Sequence, residues 1–176
     1  SPYAAAKLYA HNMVKIYRKG YGLFACNGLL FNHESPLRGL EFVTRKISNG
    51  VAKISLGLDD SIELGNIDAR RDWGYAPEYV EAMWLMMQQE APDDYVIATN
   101  ETHTIKEFIE TAFNIVGLDW KKHIRIDERF MRPVDVNYLK GDYHKSLTKL
   151  GWSPKTRFKA LAEIMVNSDL ERWRRW

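Results

Sequence analysis

Gly22-Leu23-Phe24-Ala25-Cys26-Asn27-Gly28-Leu29-Leu30-Phe31 is nearly continuous apolar sequence. Such a run predicts a strand of a parallel sheet covered on both faces. It stops at Asn32-His33-Glu34-Ser35-Pro36, a polar loop at the strand's carboxyl end. Open α/β sheets gather their ligands at that end.

Upstream lies Ser1-Pro2-Tyr3-Ala4-Ala5-Ala6-Lys7. Three alanines favour a helix, and the four-residue spacing puts Tyr3 and Lys7 on one helical face. An ammonium beside a phenol favours the phenolate, which would suit Tyr3 to general-base work. The competing reading is an ordinary surface turn. The helix is expected over residues 3–19, closed by Gly20 with Arg18 and Lys19 in its last turn. The chain opens Ser-Pro-Tyr, without a Met, directly at the candidate catalytic tyrosine. We read it as part of a longer protein, inactive when made alone.

Downstream, Phe42 to Ser55 reads as a helix carrying Arg45, Lys46 and Lys53. Residues 61–66 form a short strand into a turn, and 68–74 a charged loop. A helix runs from Pro77 to about Glu90 with Val80, Met83, Trp84 and Met87 on one stripe. Strands are expected at 95–99 and 123–127. Thr104-Ile105-Lys106-Glu107 is a capping box opening a helix that Gly117 ends. Residues 131–135 are extended, because the residue before Pro133 avoids helix. Two helices follow, at 142–150 and 156–173, the last turning Phe158, Leu161, Ala162 and Met165 inward.

The 176 residues are 45% hydrophobic and 27% charged, which suits one soluble globular domain with a real core. A net charge of +2 is too small to argue for nucleic acid, and Arg172, Arg174 and Arg175 read as a solvated helix end. The lone Cys26 rules out an internal disulfide. No apolar run approaches the roughly 20 residues of a membrane span.

Together these segments resemble the extended short-chain dehydrogenase/reductase family, and within it the GDP-mannose 4,6-dehydratase branch. The resemblance is carried by residues 1–11, 22–36, 42–46, 64–74, 79–85 and 93–99, and by Arg132-Pro133 with Gly141-Asp142. FNHESP and LGNIDARRDWG are its most specific stretches. The resemblance implies an α/β fold: the C-terminal part of a Rossmann-type doubly wound parallel sheet plus a smaller mixed α/β substrate-binding domain. Residues 1–36 would be the remnant of the NADP-binding domain. Residues 37–176 would be mainly nucleotide-sugar-binding, with about 61–100 returning to the sheet.

The reaction implied is conversion of GDP-mannose to GDP-4-dehydro-6-deoxymannose through bound NADP, as in GDP-fucose biosynthesis. A cytoplasmic homo-oligomer, dimer or tetramer, is implied, with no metal, nucleic acid or membrane partner. Matched position by position, Tyr3 would be the base and Lys7 would hold the nicotinamide ribose. His33 and Arg38 would contact NADP. Asn32, Lys46, Asn66, Arg71, Arg132 and Asp135 would hold the GDP-sugar. Arg71 could instead pair with Asp72, and Lys46 could be a surface lysine. Asp135 stands where relatives commonly carry Glu. No Gly-rich dinucleotide fingerprint occurs, and the family's Thr or Ser and Glu partners precede its tyrosine. Another nucleotide-sugar epimerase or dehydratase, and a non-catalytic GDP-sugar-binding module, are the alternatives.

Overall fold

The computed structural model describes residues 1–131 and 136–175. The first helix, α1 (Pro2–Tyr21), starts where Ser1 Oγ accepts from Ala4 N at 3.2 Å. It ends at Gly22, whose φ of 65° a side chain would resist. Gly20 therefore lies inside the helix rather than closing it. No residue of α1 is buried. Polar contacts dock its second half. The Arg18 guanidinium donates to Ala25 O at 2.7 Å and to Asp94 Oδ1 at 2.5 Å. The Asn27 amide donates to His11 O at 3.2 Å.

Burial pushes the Asp94 carboxyl up, but hydrogen bonds from Arg18 and Asn27 outweigh it and hold the group below its ordinary 3.8. That contribution is complete above the ordinary value and lost as pH falls through the lower folded one. We expect Asp94→Asn at neutral pH, and the parent protein below about pH 3.8, to show faster amide hydrogen exchange in α1. Unchanged protection in Asp94→Asn would contradict this account of how α1 is held.

The apolar run after α1 forms β1 (Asn27–Leu30) and β2 (Asn32–Glu34), shorter than expected. Between them Phe31 N donates to Ile97 O at 2.9 Å. β1 pairs in parallel with β6 (Asp94–Ile97), and β2 with β5 (Trp73–Tyr75). Within this chain Leu29 is 42% exposed. Two further pairs are β3 (Ile62–Leu64) parallel to β8 (Ile124–Ile126), and β4 (Arg70–Arg71) antiparallel to β7 (His103–Thr104). The charged stretch 68–74 is thus two short strands rather than a loop.

Helices α2 (Val43–Ser55), α4 (Ile105–Ile115) and α6 (Phe158–Arg174) pack together. They bury Ile47, Val51, Phe108, Phe113, Leu161 and Met165, with Trp73 of β5. The expected cap is present, Thr104 Oγ1 accepting from Glu107 N at 2.9 Å. A second core joins α3 (Ala76–Met86) and α5 (His144–Leu150) to β6. The stripe of Val80, Met83, Trp84 and Met87 faces away from the core: Val80 and Trp84 are 60% and 62% exposed. Tyr79, Ala82 and Met86 are the buried face, because that side meets β6 and Trp152.

Two buried polar knots tie the layers. Arg45 Nη1 lies 2.8 Å from Asp169 Oδ1, joining α2 to α6, and Ser48 Oγ donates to Asp169 Oδ2 at 2.7 Å. Asp72, between β4 and β5, accepts from Thr99 N at 2.9 Å, Thr99 Oγ1 at 2.8 Å and Gly141 N at 3.0 Å.

Candidate active site

Tyr3 and Lys7 lie on one face of α1, as the spacing predicts. The Lys7 ammonium sits 5.6 Å from the centre of the Tyr3 ring, and Tyr3 is 72% exposed. The helix N-terminus carrying them stands clear of both cores.

The loop after β1 holds the second group. The His33 Nδ1 is 2.9 Å from Phe31 O. A carbonyl only accepts, so this nitrogen carries a proton. The imidazole stacks on Tyr79 with ring centres 5.1 Å apart. Gly74, opposite His33 in the β2–β5 ladder, makes room for that ring. A Cβ on Gly74 would fall 2.2 Å from Tyr79 Cε2. The Tyr79 hydroxyl is buried without a hydrogen-bond partner, and burial pushes its pKa far up.

Arg38 is held on two sides. Its guanidinium carbon lies 3.5 Å from the centre of the Phe42 ring, and its Nε lies 3.2 Å from Glu34 Oε2. Glu34 is 2% exposed and accepts from Thr44 Oγ1 at 2.6 Å. Burial pushes the Glu34 carboxyl up, while Thr44 and Arg38 pull it down less strongly.

The third group surrounds a different segment. Lys46 on α2 places its ammonium 3.8 Å from the centre of the Phe130 ring. Burial pushes the Lys46 pKa down, opposed by Glu63 and Asp127. Gly65 lies so close to this segment that a Cβ there would sit 2.4 Å from Phe130 O. The neighbouring Asn66 turns its Oδ1 to Asp68 N at 3.0 Å. Arg71 on β4 donates from Nη1 to Arg70 O at 2.9 Å and to Val136 O. Asp72 directs its oxygens to Thr99 and Gly141, which accounts for its burial without Arg71.

Arg132 and Asp135 lie outside the described residues, but their flanks are in view. Lys46 meets Phe130 on one side, and Arg71 meets Val136 on the other. Asn32, His33 and Arg38 share one strand and its loop. Glu34, Tyr79 and Gly74 were not anticipated as parts of this arrangement. A clue was present in the sequence: an acid inside a strand four residues before an Arg.

The chain matches the family described as GDP-mannose 4,6 dehydratase over residues 1–165. It is 58% identical over 171 residues to GDP-mannose 4,6 dehydratase 1 of Arabidopsis thaliana, covering 97% of this chain and 47% of that protein. It is 49% identical over 188 aligned positions to GDP-mannose 4,6 dehydratase of Homo sapiens, covering 97% of this chain and 50% of that one. The chain therefore spans about half the length of the curated relatives it matches.

Among solved structures, RMD from Pseudomonas aeruginosa complexed with NADPH superposes with a TM-score of 0.86 at 21% identity, covering 97% of this chain and 56% of that one. dTDP-glucose 4,6-dehydratase from Bacillus anthracis, complexed with NAD, gives 0.84 at 21% identity, covering 100% and 54%. The fold is the Rossmann-type α/β fold of the short-chain dehydrogenase/reductases. Within that class the chain belongs to the GDP-mannose 4,6-dehydratase family.

Proposed function

We propose that the protein is an NADP-dependent GDP-mannose 4,6-dehydratase, a hydro-lyase that removes water across positions 5 and 6 of the mannosyl ring. The observation that carries this reading is the Tyr3–Lys7 pair on one face of α1 in a chain of that family. Bound NADP would supply the hydride acceptor for position 4 of the sugar and return the same hydride at position 6. The donors present suit that ligand: the Arg38 fork for a phosphate, the Lys7 ammonium for ribose hydroxyls, and the His33 ring nitrogen for a polar edge.

Tyr3 takes the proton of the 4-hydroxyl as the ketone forms. That ketone acidifies position 5, which allows the later loss of water. Lys46, Arg71 and Arg132 supply the cations that a diphosphate needs, with Asn32, Asn66 and Asp135 at the nucleoside and sugar. Of the two cores, the one built on β6 serves the cofactor side. The one formed by α2, α4 and α6 serves the nucleotide-sugar side. We assign the protein as a cytoplasmic homo-oligomer. Among the described residues no helix is long and apolar enough to cross a membrane.

The test is to supply GDP-mannose labelled with deuterium at position 4, with NADP, to the protein at its natural length. The expected product is the 4-keto sugar with deuterium at position 6. Unchanged substrate, or an epimerised sugar, rejects the reading.

Lys46→Met gives a second expectation, because methionine keeps an apolar stem over Phe130 and deletes the charge. GDP-mannose affinity should fall by about 1.5–3 kcal/mol, the worth of a hydrogen bond to a charged group. Thermal stability should hold, since burial already disfavours the ammonium. Calorimetry with and without NADP measures the first, a melting curve the second.

A further inference from the structure

We infer that Glu34 is the positioning residue for Arg38: its buried carboxylate fixes the guanidinium in the one orientation that meets the cofactor. The inference rests on the reading of Arg38 as an NADP contact.

The backbone of the loop is already set. Ser35 O accepts from Arg38 N at 3.0 Å, closing a turn with Pro36 at its second position. Arg45 Nε donates to Pro36 O at 3.1 Å, and Leu37 N to Ser35 Oγ at 3.1 Å. This places the Arg38 Cα but leaves a long side chain with many rotamers. Two contacts remove that freedom. The Phe42 ring lies 3.5 Å from the guanidinium carbon and selects a plane. Glu34 Oε2, 3.2 Å from Nε, draws the guanidinium charge toward β2 by attraction; the Nε–H is not aligned on it, so the contact is an ion pair rather than a hydrogen bond. A bidentate phosphate donor gains from such restriction, because little orientation is then left to lose on binding.

Glu34 can do this because it is itself immobile. It lies in the β2–β5 ladder opposite Tyr75 and is 2% exposed. The Thr44 hydroxyl, at the start of α2, binds the same oxygen at 2.6 Å. One carboxylate oxygen thus joins β2, α2 and the Arg38 loop. A carboxylate placed there for stability alone would be a poor choice, since burial disfavours its charge. Its use lies in what it holds.

The test is a double-mutant cycle in the protein at its natural length, read by NADPH fluorescence, GDP-mannose calorimetry and melting temperature. Arg38→Ala should weaken NADPH binding roughly 10- to 100-fold. Glu34→Ala should weaken it about tenfold, and the double variant no more than Arg38→Ala alone. Glu34→Gln keeps an oxygen for Thr44 and removes the charge, so it should fold normally and lose about threefold, again only when Arg38 is present. GDP-mannose affinity should be unchanged throughout.

Equal losses with and without Arg38, or equal losses for both ligands, would make Glu34 structural and overturn the inference. If Arg38→Ala leaves NADPH binding intact, the assignment of Arg38 to the cofactor fails first, and the inference with it. If Glu34→Ala does not fold, the Glu34→Gln arm of the cycle decides.

Discussion

Tyr3→Phe, made in the protein at its natural length, is expected to lower turnover by a factor on the order of a hundred to ten thousand, the usual worth of a positioned acid or base. Phenylalanine keeps the ring against which Lys7 lies, 5.6 Å from its centre, and removes only the oxygen. The change removes one atom and no part of the ring. Substrate and cofactor affinity should therefore stay near the parent values, and the loss should fall on kcat rather than KM. The matching experiment is single-turnover formation of the 4-keto sugar. A Phe variant with near-normal turnover would remove Tyr3 from the role of base. A variant with weakened binding and unchanged kcat would instead make Tyr3 a binding group.

The second large effect concerns stability. Arg45 and Asp169 are 1% and 0% exposed and form the pair that joins α2 to α6. Arg45→Met should cost about 3–5 kcal/mol, because it leaves the Asp169 charge buried with the Ser48 hydrogen bond and the more distant attraction of Arg172. Urea unfolding would measure it. Burial pushes the Asp169 carboxyl up, against Ser48 and Arg45, and pushes the Arg45 guanidinium down, against Asp169. In both partners desolvation outweighs attraction. The double variant Arg45→Met with Asp169→Leu should therefore recover most of the loss. A double variant as unstable as the single one would show that the pair contributes net stability.

The helices were legible because their signals are local. The Thr104 cap, the turn at Gly117 and the inward face of the last helix follow from spacing alone. Strand partners are not local. The Arg-rich stretch 70–71 looks like a loop until His103 and Thr104 supply its ladder. The stripe on α3 is a different case: the helix is apolar on two sides, and periodicity cannot say which side meets β6. In the site, residue types and spacing pointed to Tyr3 and Lys7, and the resemblance to the family pointed to the cations. The support behind them stayed hidden. Glu34 serves Arg38, and Tyr79 reaches His33 only because Gly74, far along the chain, lacks a side chain.

Asp72 has a topological consequence. Thr99 and Gly141 are both hooked to its one carboxylate, so the chain between them leaves and returns at a single clasp. That excursion contains α4, β8 and the segment around Arg132 and Asp135. Its closure is fixed at the clasp whatever its length, and lengthening a closed loop costs only slowly more entropy. Turns within the excursion can therefore gain or lose residues without shifting β6 or α5, while β7, β8 and α4 stay anchored on β4, β3 and the first core. On the proposed reading, editing the turns of this excursion would alter the nucleotide-sugar side while α1 and β1 stay as they are.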